Sequence, residues 1–316
     1  MENKTIENLG AVTTYLTADG MARLIYAETT GIVEYAAEKH SPSKTVTAAL
    51  GRGLTAAALM GATLKDDDGS LTLRFKSNGP AGGLTCVADS HGNVRGCADE
   101  PQVELPPNAA GKLDVGGVIG RDGDLTVVRD YGFGEPYVGS VKLVSGEIAE
   151  DITNYYAVSE QTPTVCALGV RVNQDRTVKS AGGFLLQLLP GAEDALAEKL
   201  EERITALPSL SALIADGKTA GDIAALVFGD IPYNEMGWTE ARYKCNCDRR
   251  RYRRSIQRIG IQELKSMCEA KQGAEVICRF CGERYFFPPE ELDTMYLERV
   301  AELKEEKAKR QAKETK

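Results

Sequence analysis

Apolar positions come in short runs and alternations over the first half of the chain and at helical spacing further on. Arg23-Leu24-Ile25-Tyr26-Ala27 is rich in β-formers and predicts a strand, and Gly31-Ile32-Val33-Glu34-Tyr35 predicts a second directly after it. Ser41-Pro42 predicts a helix start, since proline fits a first turn and Val46, Ala49, Leu50, Leu54, Ala57 and Ala58 recur at helical spacing up to Leu64. Asp66-Asp67-Asp68-Gly69 ends that helix. Leu71, Leu73 and Phe75 alternate with Thr72 and Arg74, and residues 84–88 and 94–98 read as a hairpin closed by Asp89-Ser90-His91-Gly92-Asn93. Further strands are expected at residues 125–129 and 138–144. Clustered strands with helices between them, and no βαβ rhythm, favour an α+β domain over a doubly wound sheet.

The pattern changes after Phe184-Leu185-Leu186-Gln187-Leu188-Leu189-Pro190, a short apolar strand. Leu196, Leu200, Ile204 and Leu207 then form an apolar stripe on a helix rich in Glu and Lys. From Gly191 to Gly229 the chain reads as short amphipathic helices interrupted by Pro208, Gly217 and Gly221. Their apolar face is too narrow to be stable unless it docks, which predicts a metastable linker. Residues 290–316 read as one amphipathic helix, carrying Leu292, Met295, Tyr296 and Val300, that frays into a solvated charged tail.

Composition bounds what this pattern can be. With 316 residues and 42% hydrophobic content the chain can bury a sizeable core. The start, Met1-Glu2-Asn3-Lys4-Thr5, lacks the basic and apolar regions of a signal peptide, and no stretch approaches the roughly 18 apolar residues of a membrane helix. A cytoplasmic protein without a membrane partner is expected. A net charge of −8 repels phosphate backbones, so nucleic acid is disfavoured except at a local basic patch. Eight cysteines in a reducing compartment point to metal binding or redox sensing, not to a disulfide framework.

Two close-spaced pairs carry that chemistry: Cys245-Asn246-Cys247 and Cys278-Arg279-Phe280-Cys281, separated by 30 residues that can fold back and close a site. Four thiolates suit one Zn²⁺ in tetrahedral coordination, and the binding supplies folding energy to a small module. A permanent zinc ribbon is the blander alternative. The first pair, however, has a single intervening residue, so a disulfide between Cys245 and Cys247 closes a small strained ring, and strained bridges are readily reduced. Arg242, Lys244, Arg249, Arg250, Arg251, Arg253, Arg254 and Arg258 stand around that pair against the single acid Asp248, a field expected to favour thiolate. The expected organisation is an α+β N-terminal core domain at residues 1–180, a helical linker at 181–235 and a small C-terminal zinc-binding domain at 236–316.

Other candidates are weaker. Cys86, Cys97 and Cys166 sit in strand-like apolar surroundings and are read as buried hydrophobes, and Cys268 on a helix as a core residue. His40 and His91 are too few for a metal cluster, and are read as helix-start packing and a turn residue. Ser159 lacks a Gly-x-Ser-x-Gly elbow, and the paired glycines do not form a dinucleotide fingerprint.

The order Cys-x-Cys, then Cys-x-x-Cys, ending in Tyr285-Phe286-Phe287 behind an α+β domain, resembles the redox-regulated 33-kilodalton heat-shock chaperone family over nearly the whole chain. His40-Ser41-Pro42-Ser43-Lys44-Thr45, Val94-Arg95-Gly96, Tyr156-Ala157-Val158-Ser159-Glu160-Gln161-Thr162-Pro163 and Ala181-Gly182-Gly183-Phe184-Leu185-Leu186-Gln187 agree with it. Ser41-Pro42-Ser43 departs from that family's frequent Ser-Pro-Thr, away from the cysteines. The resemblance implies a stress-response holdase that is inactive while reduced and zinc-bound through Cys245, Cys247, Cys278 and Cys281. Oxidants then form disulfides between Cys245 and Cys247 and between Cys278 and Cys281, zinc leaves, and the module and linker unfold. It also implies unfolding client proteins as partners, a homodimer when activated, and no enzymatic turnover. No Walker loop is present, in keeping with ATP independence.

Two rivals remain at this point. A zinc-ribbon nucleic-acid-binding protein would use the arginines at 249–254 with Tyr243 and Tyr252 for stacking. A thiol oxidoreductase would use Cys278 and Cys281 as a catalytic dithiol, but lacks a thioredoxin-like βαβ context.

Overall fold

The structure is a computed structural model that describes residues 8–314, with side chains to Lys307. Two compact units divide the chain, Met1–Lys244 and Cys245–Lys316.

The first unit is organised by one buried helix and one long sheet. Helix α1 (Thr30–His40) follows strands β1 (Leu9–Thr17) and β2 (Ala22–Glu28), and α2 (Lys44–Gly61) follows α1. Sixteen of the eighteen residues of α2 are buried, Lys44 and Arg52 being the exceptions. Its small residues permit this: a β-carbon on Gly53 would lie 2.8 Å from the Cys86 sulfur, and one on Gly51 2.7 Å from Val33 Cγ1. Ser43 caps the helix, its hydroxyl accepting from the Val46 N–H at 3.1 Å, so the start falls just after the expected Ser41-Pro42.

Strands β3 (Ser70–Ser77), β4 (Gly83–Asp89), β5 (Asn93–Ala98), β6 (Gly123–Asp130) and β7 (Tyr137–Lys142) form one half of the sheet. Short α3 (Val115–Ile119) precedes β6, and α4 (Ala149–Tyr155) runs into a π-helical turn, Tyr156–Glu160. Strands β8 (Thr164–Val172), β9 (Val178–Leu188) and β10 (Tyr233–Tyr243) complete a ten-stranded sheet in the order β7-β6-β3-β4-β5-β10-β1-β2-β9-β8. Neighbours are antiparallel except β5 and β10, which meet in parallel over two residue pairs.

Alternation along the strands divides the core in two. Ile25, Ala27 and Leu185 join α2 in the main core, whereas Leu24, Tyr26, Phe184 and Leu186 face the other way. That second face is covered by α5 (Asp194–Ala206), α6 (Leu210–Ala215) and α7 (Ala220–Phe228), through Leu200, Leu210, Leu213, Ile223, Val227 and Phe228. The short amphipathic helices expected after Gly191 are therefore present and docked. Burial on both faces explains why residues 184–189 read as a continuous apolar run.

Three expectations are corrected. Residues 31–35 lie in α1, not in a strand, because Ile32, Val33 and Ala36 are buried at helical spacing and tertiary packing overrides their β-propensity. An expected boundary at residue 180 falls inside β9, whose pairing with β2 and β8 keeps residues 181–188 in the sheet. Residues 236–244 likewise belong to the first unit, since β10 pairs with β1. The strands at 9–17 and 233–243 were not expected.

In the second unit, α8 (Arg249–Gln257), α9 (Ile261–Ala270) and α10 (Pro289–Glu314) surround a two-stranded sheet of β11 (Ala274–Ile277) and β12 (Arg284–Phe287). Its core is small: Ile256, Leu264, Phe287, Leu292 and Met295 are buried.

Candidate metal centre

The second unit brings its two cysteine pairs to one point. Cys245 and Cys247 lie in the extended segment before α8, which starts where the Asp248 carboxylate accepts the Arg251 N–H at 2.7 Å. Cys278 and Cys281 form the turn between β11 and β12, closed by Gly282 N–H to Cys278 O and Cys278 N–H to Glu283 O, both 2.8 Å. Gly282 takes φ +73°, a left-handed conformation that glycine adopts without strain.

All four sulfurs lie within 4.8 Å of one another, with Cys245 and Cys278 Sγ 3.7 Å apart and Cys247 and Cys281 Sγ 3.4 Å apart. A tetrahedron of sulfurs at ~2.3 Å from Zn²⁺ has an edge of about 3.8 Å, so the spacing fits four-sulfur coordination. Backbone N–H groups also point at the sulfurs: that of Cys247 at Cys245, those of Phe280 and Cys281 at Cys278, and that of Glu283 at Cys281. Such donors stabilise negative charge on sulfur.

Two phenols complete the surroundings. The Tyr285 hydroxyl lies 3.2 Å from Cys247 Sγ, and the Tyr252 ring packs 5.1 Å from that of Tyr285. Burial raises the Cys278 thiol, but hydrogen bonds from Tyr252 and from backbone N–H groups outweigh it and bring it down to about 7. Cys245 is pushed up to about 11 by burial, and Cys281 is raised by burial and by the neighbouring sulfurs. A divalent cation in the midst of the four sulfurs takes the place of the protons their thiols carry.

The arginines do something other than expected. Arg249 binds Phe286 O and Glu291 and lies over the Phe287 ring, 4.4 Å from its centroid. Arg253 binds Glu298 at 2.8 Å, and Arg251 binds Asn246 Oδ1 at 3.0 Å. They tie α8 to α10 and to the first cysteine pair, while the groups that tune the sulfurs are Tyr252 and Tyr285. Sequence reasoning gave neither phenol this role. Their signal was placement, Tyr252 on the helix after the first pair and Tyr285 four residues beyond Cys281.

The other candidates lie elsewhere. Cys86, Cys97 and Cys166 are buried in the first unit. Cys268 is partly buried against the core of the second unit, and burial and Asp293 raise its thiol. His40 ends α1 with Nε2 3.3 Å from the Tyr243 hydroxyl, rather than starting a helix, and His91 occupies the β4–β5 turn. Ser159 lies in the π-helical turn, 3.3 Å from the Tyr137 hydroxyl. Among the described residues no helix is long and apolar enough to cross a membrane.

Comparison with known proteins places the chain in a family. Residues 11–288 match the family described as Hsp33 protein. The chain belongs to the Hsp33 family. It is 46% identical to the 33 kDa chaperonin of Acetivibrio thermocellus, over 87% of this chain and 92% of that protein. It is 44% identical to the 33 kDa chaperonin of Agathobacter rectalis, over 88% and 96%. The crystal structure of the Thermotoga maritima 33 kDa chaperonin superposes with a TM-score of 0.83 at 36% identity, covering 93% of this chain and all of that one. Hsp33 relatives carry the name of a chaperone, not of an enzyme, and the oxidoreductase and nucleic-acid readings recede.

Proposed function

We propose that this chain is a cytoplasmic, redox-regulated, ATP-independent holdase that keeps unfolding client proteins from aggregating. Convergence of four cysteine sulfurs in a unit with only a small apolar core carries the reading. Zn²⁺, when bound by Cys245, Cys247, Cys278 and Cys281, supplies folding free energy and holds the sulfurs deprotonated. An oxidant takes two electrons from each of two sulfur pairs, and a sulfur in a disulfide is no longer a thiolate ligand. The second unit then loses the folding energy its own core cannot replace.

The linker is the responsive element. Helices α5 to α7 are short and rest on the sheet face of Leu24, Tyr26, Phe184 and Leu186 through a single apolar stripe. Short helices held by one face occupy the low end of local stability, and their release uncovers that sheet face together with their own apolar sides. Residues 229–244, with β10 among them, lead from the end of α7 to Cys245, so the two events lie on one short stretch of chain.

From its family resemblance, the disulfides join Cys245 to Cys247 and Cys278 to Cys281, and the active form is a homodimer. Peptide mapping tests the pairing: bridges from Cys245 to Cys278 and from Cys247 to Cys281 would overturn it. The function is tested by light scattering from a thermally unfolding client without ATP. Peroxide-treated protein suppresses aggregation and reduced, zinc-loaded protein does not; equal activity in both forms would refute the switch.

A further inference from the structure

Strand β10 runs from the linker to the cysteines, and its side-chain anchors are concentrated at its two ends. At the start, Tyr233 packs on Phe228 of α7 with ring centroids 5.0 Å apart and on Tyr15 at 5.8 Å, so the strand begins inside the core that holds the linker. From 234 to 239 every residue is exposed, Met236 to 60% and Trp238 to 66%. Backbone pairing with β1 and the Glu235 carboxylate on the Tyr15 hydroxyl hold that stretch. The pairing slips at a bulge, where Thr14 meets Gly237 and Tyr15 meets Glu235, which leaves Met236 out of register. On its other edge β10 meets β5 at Arg242 and Tyr243.

At the far end Tyr243 is the main anchor. It is 2% exposed in the main core, beside buried Ala241, with its ring 5.2 Å from that of Tyr35 on α1. Its hydroxyl donates to Gly96 O at 3.0 Å and lies 3.3 Å from His40 Nε2. Its backbone is fastened too: Tyr243 N–H donates to Asn8 O at 2.9 Å, and Asn8 Nδ2 donates to Tyr243 O at 2.7 Å. Lys244 N–H donates to Val94 O at 2.9 Å. Cys245 follows directly, so the anchor of the strand and the first sulfur of the metal centre are near neighbours along the chain.

We propose that Tyr243 is the latch through which unfolding of the cysteine unit reaches the linker. While Cys245 is held in a folded unit, detaching Tyr243 frees little chain, so the buried ring and its hydrogen bonds keep β10 in the sheet. Once that unit unfolds, the strand end leads into unfolded chain, and the same detachment gains the conformational freedom of the residues it releases. The exposed side chains of 234–239 offer little resistance to peeling back toward the bulge. Withdrawal of Tyr233 then takes a ring away from Phe228 and loosens α7. Tyr243 is a positioning residue, acting through β10 and not as a ligand. The inference deepens the proposed function, on which it rests for its link to activity.

Hydrogen exchange read by mass spectrometry tests this on the full-length protein, first reduced and zinc-loaded, then oxidised with hypochlorous acid. On oxidation of the parent, residues 233–244 should lose protection together with α5 to α7. Rapid exchange in the linker helices while β10 stays protected overturns the proposal. In reduced Tyr243→Ala, β10 and the linker should both exchange about ten-fold faster or more, while the protein keeps its zinc and β3 and β4 stay as protected as in the parent. Tyr243→Phe keeps the ring and deletes the hydroxyl, so its exchange should fall between the two. Linker exchange unchanged in both variants removes the latch. So does loosening of β3 and β4 as large as that of the linker in Tyr243→Phe, which would make Tyr243 an ordinary core residue. Joint opening of β10 and the linker on oxidation, without suppression of client aggregation, leaves the latch standing and removes the holdase reading.

Discussion

Replacing Phe228 by alanine separates linker docking from the metal centre. Phe228 ends α7 with 0% of its surface exposed, among Tyr15, Leu24 and Tyr26 of the sheet face, and its ring lies 5.0 Å from that of Tyr233. Removing a fully buried phenylalanine side chain costs ~3–5 kcal/mol, a transfer loss plus the cavity left behind. At about 1.4 kcal/mol per factor of ten, the docked-to-released ratio of the linker falls by roughly two to three and a half orders of magnitude. The variant should then hold its zinc, yet exchange the amide hydrogens of α5 to α7 rapidly and suppress client aggregation without oxidant. Hydrogen exchange read by mass spectrometry, with metal content and light scattering on the same sample, measures all three. Slow exchange in these helices, as in the parent, would show that the sheet face does not hold them. Rapid exchange without holdase activity would show that the face they cover is not where clients bind.

Cys245→Ser removes one of four sulfurs and should abolish stoichiometric zinc and uncouple activity from oxidant, whereas Cys86→Ser should leave one zinc per chain and cost ~1–3 kcal/mol of first-unit stability by burying a hydroxyl; metal analysis and thermal unfolding distinguish them. Tyr252→Phe deletes the hydroxyl that helps hold Cys278 near 7, so the midpoint of its alkylation in metal-free protein should move up toward the ordinary thiol range, with a slower rate at neutral pH. Because that group's folded value is depressed, its stabilisation of the metal-free unit is present above the ordinary thiol pKa and lost as pH falls through about 7, and zinc affinity should fall over the same interval as protons compete for sulfur; competition with a chromogenic chelator across pH reads this. Arg203→Ala frees the Phe228 carbonyl and Asp230, which Arg203 binds from α5, and should loosen α7, visible as faster amide exchange there than in the parent.

Much of the fold was legible because one face of each strand or helix is buried. The hairpin of β4 and β5, the alternating β3 and the stripe on α5 all show their period directly in the sequence. Residues 31–35 misled because β-branched Ile32 and Val33 suit a strand locally, whereas packing against α2 and the sheet fixes them in a helix. Strand β10 escaped notice because Asn234, Glu235, Met236, Trp238 and Thr239 are all exposed, and only Ala241 and Tyr243 at its end turn inward. The metal centre was legible in its ligands, since four cysteines in two close-spaced pairs mark one site, but not in its tuning. Arginine charge near the first pair suggested thiolate stabilisation, yet Arg249 and Arg253 are drawn to Glu291 and Glu298, acids some forty residues on that only the folded α10 brings near. The phenols of Tyr252 and Tyr285 reach the sulfurs for the same reason, through tertiary packing of α8 against β12.

The central claim, that the four cysteines are both the ligands and the sensor, is tested most directly by titrating reduced, zinc-loaded protein with hypochlorous acid. Free zinc, remaining thiols and suppression of client aggregation are read at each step, and reductant is then restored with zinc present. The account predicts that zinc appears in solution as four thiols per chain are lost, that activity rises with it, and that reduction reverses both. Zinc retained while activity appears, or zinc lost while clients still aggregate, would contradict it.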